Sequence, residues 1–421
     1  MHEYVLNPIF RLRREYFGGL LYNIKTGNFY YVNREGYKYL SQYLHPRPIV
    51  LCSFVKTCIN NRILVPSEKG HKDSYKNSSN IKRILKERLS APIRSSIYPT
   101  LKCNQKCVFC FLSKRNISNM SYRDFRRIIC KLDAINTLIV EILGGEPFLL
   151  PWIADALAYI ADHQITPEVS TNGSVLNQRT ISRLARIDPL IINISIHGFG
   201  QVHDKAVGAS HFQKVKKALL LLNDFGINHC ISCVVFRNNL NKITQLCDFL
   251  GTLEKSSRLN LLFCQSLGMA VKNNVCISLL EFWKEYSLIK NYIKSKGYKI
   301  YVTTDAPFNF YIENSPKPKN ELERQLVGCE ALKVRIEILP NGDIYPCCQF
   351  FDIPRFKLGN ALKDDIGEIW EKFSPDFLKS KISEPKCKEN CKYYIECTGC
   401  YGYAIRSGIK YDNRCPGYKD A

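Results

Sequence analysis

Between about residues 93 and 305 the chain alternates short apolar runs with longer stretches whose apolar residues recur every three or four positions. The runs SSIYPTL, TLIVEIL, TPEVST, LIINISI, HCISCVVF and RLNLLFC have strand length and are rich in β-branched residues. Between them, RDFRRIICKL, WIADALAYIADH, QRTISRLARI, QKVKKALLLLNDF and ITQLCDFLGTL carry helical periodicity. Six strands alternating with helices predict βα units around a parallel sheet, an α/β fold. A partial (β/α)6 TIM-like barrel fits this order, and such a barrel carries its ligand sites at the C-terminal ends of its strands.

The two ends read differently. GLLYNIKTGNFYYVN predicts two aromatic-rich strands around a turn at Lys25, Thr26, Gly27 and Asn28. REGYKYLSQYL and VLCSFVKTCINNRI predict two short amphipathic helices. SEKGHKDSYKNSSNIKRILKERLS is polar and charged, a linker ending in a short basic helix. Beyond about residue 306 the pattern is loop-rich. The expected units are a module over 1–75, a linker over 76–92, the barrel over 93–305 and a C-terminal domain over 306–421. The module is expected to be separable from the barrel.

Composition narrows the class. At 421 residues, with 45% hydrophobic and 23% charged, the chain can bury cores in two or three domains. No apolar run reaches the ~18 residues of a spanning helix, and MHEYVLNPIFRLRREY lacks the apolar core of an export signal. A cytoplasmic protein without a membrane partner is expected. Lys and Arg outnumber Asp and Glu by 60 − 38 = 22. They are spread along the whole sequence without a nucleic-acid motif, so nucleic acid is not the expected partner. Nineteen cysteines without an export signal point to metal ligation rather than disulfides. The isolated Cys52, Cys58, Cys130, Cys230, Cys233 and Cys247 read as small buried apolar residues.

The chemistry concentrates where the first barrel strand ends. Cys103-Asn-Gln-Lys-Cys107-Val-Phe-Cys110 has C-x3-C-x2-C spacing. Three thiolates on one short loop can bind three irons of a cubane and leave the fourth open to substrate. A structural zinc would want a fourth ligand close by. The motif resembles that of the radical S-adenosylmethionine (SAM) family. The resemblance implies a [4Fe–4S] cluster whose free iron chelates SAM, and a one-electron cleavage that releases a 5′-deoxyadenosyl radical. It also implies SAM contacts from Phe109, from the Gly144-Gly145-Glu146-Pro147 loop, from Ser170 and Asn172 in STNG, and from Ser195. Two positions depart from the family pattern: His197 stands where relatives usually carry Asp, and Val207-Gly208 where they often carry Arg-Gly. That leaves Lys205 as a candidate for the SAM carboxylate. A plain substitution at His197 is favoured over an acid–base role.

Eight cysteines lie beyond residue 306. Cys329 is followed by twelve residues, Gly342, four more and Cys347; then come Cys387-x3-Cys391-x5-Cys397-x2-Cys400 and Cys415. The order resembles the SPASM domain, with two gaps off by one residue. That resemblance implies two auxiliary [4Fe–4S] clusters, one on Cys329, Cys347 and Cys400, the other on Cys387, Cys391, Cys397 and Cys415. A fourth ligand of the first would be Cys348, Cys276 or nothing. A zinc ribbon on Cys387, Cys391, Cys397 and Cys400 is the alternative.

The N-terminal pattern LLYNIKTGNFYYVNREGYKYL resembles the winged-helix-like module that binds leader peptides by strand addition. Together the resemblances imply a peptide maturase. Its partners would be a precursor peptide with a leader and an electron donor such as flavodoxin or ferredoxin. It would form thioether, carbon–carbon or carbon–oxygen links. A formylglycine-forming sulfatase-maturing enzyme is the first alternative, disfavoured by residues 1–66. A non-catalytic peptide-binding relative is the second, disfavoured by the intact cysteine triad.

Overall fold

The structure, a computed structural model, describes residues 3–67, 84–112, 118–253, 257–308, 317–381, 399–409 and 412–414. The chain opens with β1 (Glu3–Leu6), β2 (Phe10–Glu15), β3 (Gly18–Asn23), β4 (Phe29–Asn33), α1 (Arg34–Leu40), β5 (Arg47–Pro48), α2 (Ser53–Asn60) and β6 (Leu64–Pro66). The predicted hairpin and both predicted helices form. Asn23 Oδ1 accepts from the backbone of Lys25 and Thr26 to shape the turn, and Asn33 caps α1 by accepting from Gly36 N at 2.8 Å. The hydropathy pattern did not disclose β1, β2, β5 or β6. In β2, arginines at 11, 13 and 14 hide the alternation. These strands make two antiparallel sheets, β2-β3-β4 and β5-β1-β6.

The barrel follows: β7 (Arg94–Ile97), α3 (Tyr122–Ala134), β8 (Ile139–Ile142), α4 (Ile153–Asp162), β9 (Thr166–Thr171), α5 (Gln178–Leu184), β10 (Ile191–Ser195), α6 (Gln201–Val207), α7 (Phe212–Asp224), β11 (His229–Val235), α8 (Thr244–Gly251), β12 (Ser257–Phe263), α9 (Met269–Lys272), α10 (Leu279–Lys296) and β13 (Ile300–Thr304). All six predicted strands form, as β7 to β12, and pair in parallel. β13 extends the row by a seventh parallel strand. It follows α10, which starts at a capping box of Ser278 and Glu281. The C-terminal part holds α11 (Glu321–Leu326), β14 (Arg335–Ile338), β15 (Asp343–Tyr345), β16 (Gly359–Asn360), α12 (Ile366–Lys372), α13 (Pro375–Lys379) and α14 (Tyr401–Arg406). It is not only loops: β14 pairs in parallel with β7, and β15 and β16 continue antiparallel. One ten-stranded sheet, open between β13 and β16, therefore runs across residue 306.

Alternation along these strands sorts the two faces of the sheet. Val140, Ile142, Val169, Ile192, Ile194, Ile231, Leu259 and Leu261 point to the helices and form the main core. The other face is polar. Register places Glu337, Ser96, Glu141 and Glu168 in one row across β14, β7, β8 and β9, with Arg335 and Arg94 in the row beneath. The rows neutralise each other. Arg94 pairs with Glu168, Ser96 donates to Glu141 at 2.8 Å, Tyr98 to Glu337 at 2.8 Å, and Asn193 to Glu168 at 2.7 Å. Burial by itself raises the Glu168 carboxyl; Arg94 and Asn193 outweigh it and hold the group below its ordinary value.

The N-terminal sheet closes the opposite end of the barrel from the cysteine loop. Phe17, Leu20 and Tyr22 pack with Leu89, Ile93, Leu138, Ile139, Leu322 and Val334, which lie at or just before the starts of strands or in α11. Tyr22 donates to Thr166 Oγ1 at 2.8 Å. Arg13, buried against Glu15 at 2.6 Å, donates to the carbonyls of Pro92 and Asn136. The expectation of a separable module is corrected by these contacts: β2-β3-β4 is part of the barrel's packing.

The expected basic helix at the end of the linker is absent from its described part, residues 84–92. There Arg88 donates to the carbonyls of Trp370 and Phe373 at 2.7 and 2.9 Å, and Trp370 Nε1 donates to Leu89 O. Those tertiary partners outweigh the helix propensity of so short a segment. Of the isolated cysteines, Cys58, Cys230, Cys233 and Cys247 are buried as expected, but Cys52 and Cys130 are exposed. Cys52 precedes α2 as its cap residue; Cys130 lies on the outer side of α3 with Sγ 3.2 Å from Tyr159 OH. Among the described residues no helix is long and apolar enough to cross a membrane.

Candidate functional site

Cys103, Cys107 and Cys110 occupy the loop that leaves β7, and all three are partly exposed. The buried cysteines elsewhere could not offer thiolates to a cluster of this size without opening a core. Neighbouring backbone pins the loop on three sides. Gly145 N donates to Thr100 O at 2.9 Å and Glu146 N to Lys102 O at 2.8 Å. Lys106 N and Val108 N donate to Val207 O and Ala206 O, both at 2.9 Å, and Met269 N donates to Cys110 O at 2.8 Å. Glycine is what allows the first contact. A Cβ on Gly145 would stand 2.0 Å from Lys102 O, and one on Gly144, whose φ is +131°, would stand 2.2 Å from Thr100 O. These donors are thus spent on the cysteine loop. The carbonyls of Gly144 and Gly145 accept no backbone hydrogen bond among the described residues, which is the polarity an ammonium group needs.

Glu146 is turned into the protein. Its side chain is fully buried. It accepts from Phe148 N at 3.0 Å, Thr171 Oγ1 at 2.8 Å and Asn172 N at 2.7 Å. It therefore ties the glycine loop to the STNG loop. Burial pushes its carboxyl up to about 7, against the pull of those three donors. Asn172 donates to Asn104 Oδ1 at 2.8 Å and reaches Cys103 Sγ at 3.9 Å. Ser170 and Ser195 end β9 and β10 on the polar face, each half-buried, in line with Glu168 and Asn193. Phe109 lies edge-on to His197, ring centroids 4.6 Å apart, and packs on Phe236 at 5.0 Å.

His197 is buried, and its Nδ1 accepts from Val234 N at 3.1 Å. Its own N–H donates to His203 Nδ1 at 3.2 Å. Burial, with His203 as a lesser cause, holds the His197 imidazole well below its ordinary value. Lys205 is exposed on α6.

In the C-terminal part Cys329, Cys347 and Cys400 come together, and Cys348 joins them. Each lies within electrostatic reach of others in the group, and burial is the first cause that raises each thiol, Cys329 to about 12. Cys276 lies elsewhere, hydrogen-bonded to Cys264 behind the first cysteine loop. Cys400 starts α14, and that helix approaches the Cys347–Phe350 turn so closely that a Cβ on Gly402 would stand 2.4 Å from Gln349 Cβ. Cys387, Cys391, Cys397 and Cys415 lie outside the described residues. Among the described residues no three Cys, His, Asp or Glu side chains close tightly enough to hold a single ion. Thiols are the donors that iron–sulfur clusters take.

Sequence reasoning did not single out Thr171, Asn104 or Gly402. Thr171 and Asn104 sit inside motifs already recognised, and that adjacency was the available signal. Gly402 had none, because its partner is 53 positions away in the chain.

Two family models match the chain: the radical SAM superfamily over residues 97–250, and the iron–sulfur cluster-binding SPASM domain over residues 329–401. Mycofactocin maturase MftC of Mycobacterium ulcerans is 30% identical over 337 residues, covering 78% of this chain and 88% of that protein. The subtilosin biosynthesis protein AlbA of Bacillus subtilis is 25% identical over 75% of this chain and 68% of its own length. The crystal structure of Streptococcus suis SuiB bound to precursor peptide SuiA superposes with a TM-score of 0.80 at 22% identity, covering 98% of this chain and all of that one.

Proposed function

The chain belongs to the radical SAM family, and on that premise we propose that it is a maturase of a ribosomally made precursor peptide. The observation that carries the proposal is the cysteine loop laced to Gly144 and Gly145 at the C-terminal ends of a parallel sheet. The relatives reported above, a mycofactocin maturase, a subtilosin biosynthesis protein and a protein bound to a precursor peptide, point to the substrate class.

In this reading Cys103, Cys107 and Cys110 hold the SAM-binding cluster. When bound, the reduced cluster and SAM supply hydrogen-atom abstraction from a substrate carbon. The chain's own residues position and exclude. The carbonyls of Gly144 and Gly145 would receive the SAM ammonium, and Ser170, Asn172 and Ser195 would offer polar groups to it. Phe109, braced by His197 and Phe236, offers a flat apolar wall. Glu146 would lock two of these loops together. Cys329, Cys347, Cys348 and Cys400 would hold an auxiliary cluster, with Cys348 rather than Cys276 as the fourth thiol. Cys387, Cys391, Cys397 and Cys415 remain the proposed ligands of the second. Thiolate clusters suit the reducing cytoplasm, where we place the protein.

The leader peptide would add as a strand to β4, whose second edge pairs with no strand among the described residues. Tyr30 and Tyr31 of β4 stand exposed, as does Phe54 of α2, which packs on Tyr39 of α1. A flavodoxin- or ferredoxin-like protein would supply the electron.

Anaerobic reconstitution tests the reading. Reduced with dithionite, the protein is expected to convert SAM to 5′-deoxyadenosine and methionine. Replacing Cys103, Cys107 and Cys110 with Ala should abolish this while iron stays bound at the C-terminal cysteines. Undiminished cleavage by the triple variant would overturn the assignment.

A further inference from the structure

We propose that the lysines rimming the Cys103–Cys110 loop form the docking surface for a small acidic one-electron carrier. The proposal rests on the reading that this loop holds a redox cluster, and it adds where the electron enters.

Residues 98–112 contain no carboxylate and carry Lys102 and Lys106, both exposed. The end of α6 lies alongside through the bonds of Lys106 N and Val108 N to Val207 and Ala206. That brings Lys205 to the rim. Gln105 Nε2 lies 3.2 Å from His211 Nδ1, so the start of α7 adjoins with Lys214 and Lys217, one helical turn apart. On the other flank Asn273 donates to Val108 O at 2.8 Å, next to Lys272. Segments 98–112, 200–217 and 264–276 together hold seven lysines (102, 106, 205, 214, 216, 217 and 272) and one carboxylate, Asp204. Asp204 is spent inward, accepting from His211 N and Phe212 N at 2.8 Å each. Lys216 covers the Phe249 ring. The other six are exposed and make no ion pair among the described residues.

Unpaired like charges repel, and folding gains nothing from gathering them. They do raise the capture rate of an oppositely charged partner. Their position selects the partner. Electron transfer falls steeply with distance, so a carrier must rest against the loop that holds the acceptor, and the rim is that place. Single-stranded nucleic acid would want aromatic platforms between the cations. The large apolar side chain exposed in these segments is Val271, not an aromatic. The rim also gives a purpose to part of the +22 charge.

The test uses a purified flavodoxin, an acidic flavoprotein, as probe. Its binding to the loaded enzyme is followed by flavin fluorescence anisotropy, and its reduction of the cluster by stopped flow. The variant carries Lys214→Glu, Lys217→Glu and Lys272→Glu, all outside the cysteine loop. Expected for wild type are binding that weakens as salt rises and a matching fall in the reduction rate. For the variant, affinity and rate should fall at least tenfold while dithionite-driven SAM cleavage stays within twofold of wild type. Wild-type flavodoxin binding and reduction by the variant would overturn the proposal. Loss of dithionite-driven cleavage would also overturn it, placing these lysines in the SAM site. So would unchanged flavodoxin binding with weakened precursor binding, which would make the rim a peptide surface. Failure of wild type to cleave SAM with dithionite would instead remove the premise about the cluster.

Discussion

At the scale of single residues, the site is built from close backbone approaches that tolerate no side chain. Gly145→Ala places a methyl 2.0 Å from Lys102 O, so the glycine loop and the cysteine loop must part. We expect a loss of about 1–3 kcal/mol in unfolding free energy and loss of SAM binding by equilibrium dialysis. Alanine at Gly27, where a Cβ meets nothing within 4 Å, is the control for substitution alone. His203 gives a pH prediction. It is buried; burial first, then His211, lower its pKa from 6.5 to about 4, with Asp204 opposing them. Between those values the unfolded chain binds a proton that the folded chain refuses. Stability is therefore complete above about 6.5 and is lost as pH falls through about 4. Its Nδ1 accepts from His197 N, a role that an Asn oxygen can fill. His203→Asn should make the fall in unfolding free energy from pH 7 to pH 4.5, read from urea titrations, shallower than in wild type by up to about 3 kcal/mol. Equal slopes would refute the assignment.

At the scale of elements, the N-terminal strands do two jobs. β3 sends Leu20 and Tyr22 into the base of the barrel, while α2 and β4 leave Phe54 and Tyr30 in solvent. Leu20→Ala should cost about 2–5 kcal/mol by denaturant unfolding and lower SAM cleavage with it. Phe54→Ala should leave stability within about 0.5 kcal/mol and weaken leader-peptide binding alone. Equal effects of the two would mean that the sheet has no separate binding side. Deleting residues 1–66 removes Phe17, Leu20 and Tyr22 from that buried cluster, so a truncated protein should aggregate rather than retain uncoupled SAM cleavage.

At the scale of the whole molecule, two cysteine sets stand on one sheet that runs from the barrel into the C-terminal part through β14. Iron content checks the count. Three clusters correspond to about twelve irons per chain. Cys348→Ala should lower the iron bound by up to about four, or leave it bound with an altered spectrum, whereas Cys276→Ala should do neither. If Cys276 proves the sensitive position, the grouping of Cys348 with Cys329, Cys347 and Cys400 is not the functional one.

What the sequence by itself determined follows from local physics. Strand and helix periods marked six barrel strands and their helices, because each element buries one face and so carries a period. The C-x3-C-x2-C spacing and the GGEP, STNG and NISIHG segments marked the candidate site, because ligands held by one loop must be close in sequence. What tertiary structure decided depends on partners far apart in the chain. Cys348 and Gly402 acquire their roles only when α14 meets the turn after Cys347. The row of Glu337, Ser96, Glu141 and Glu168 exists only in register, since its members come from four strands that only the fold sets side by side. The closing of the barrel by β2-β3-β4 was hidden for the same reason. Arg13 is buried beside Glu15 because Pro92 and Asn136, far away in the chain, supply carbonyls for it. Local composition records what a residue can do, while its partner, and so its energy, is set by the fold.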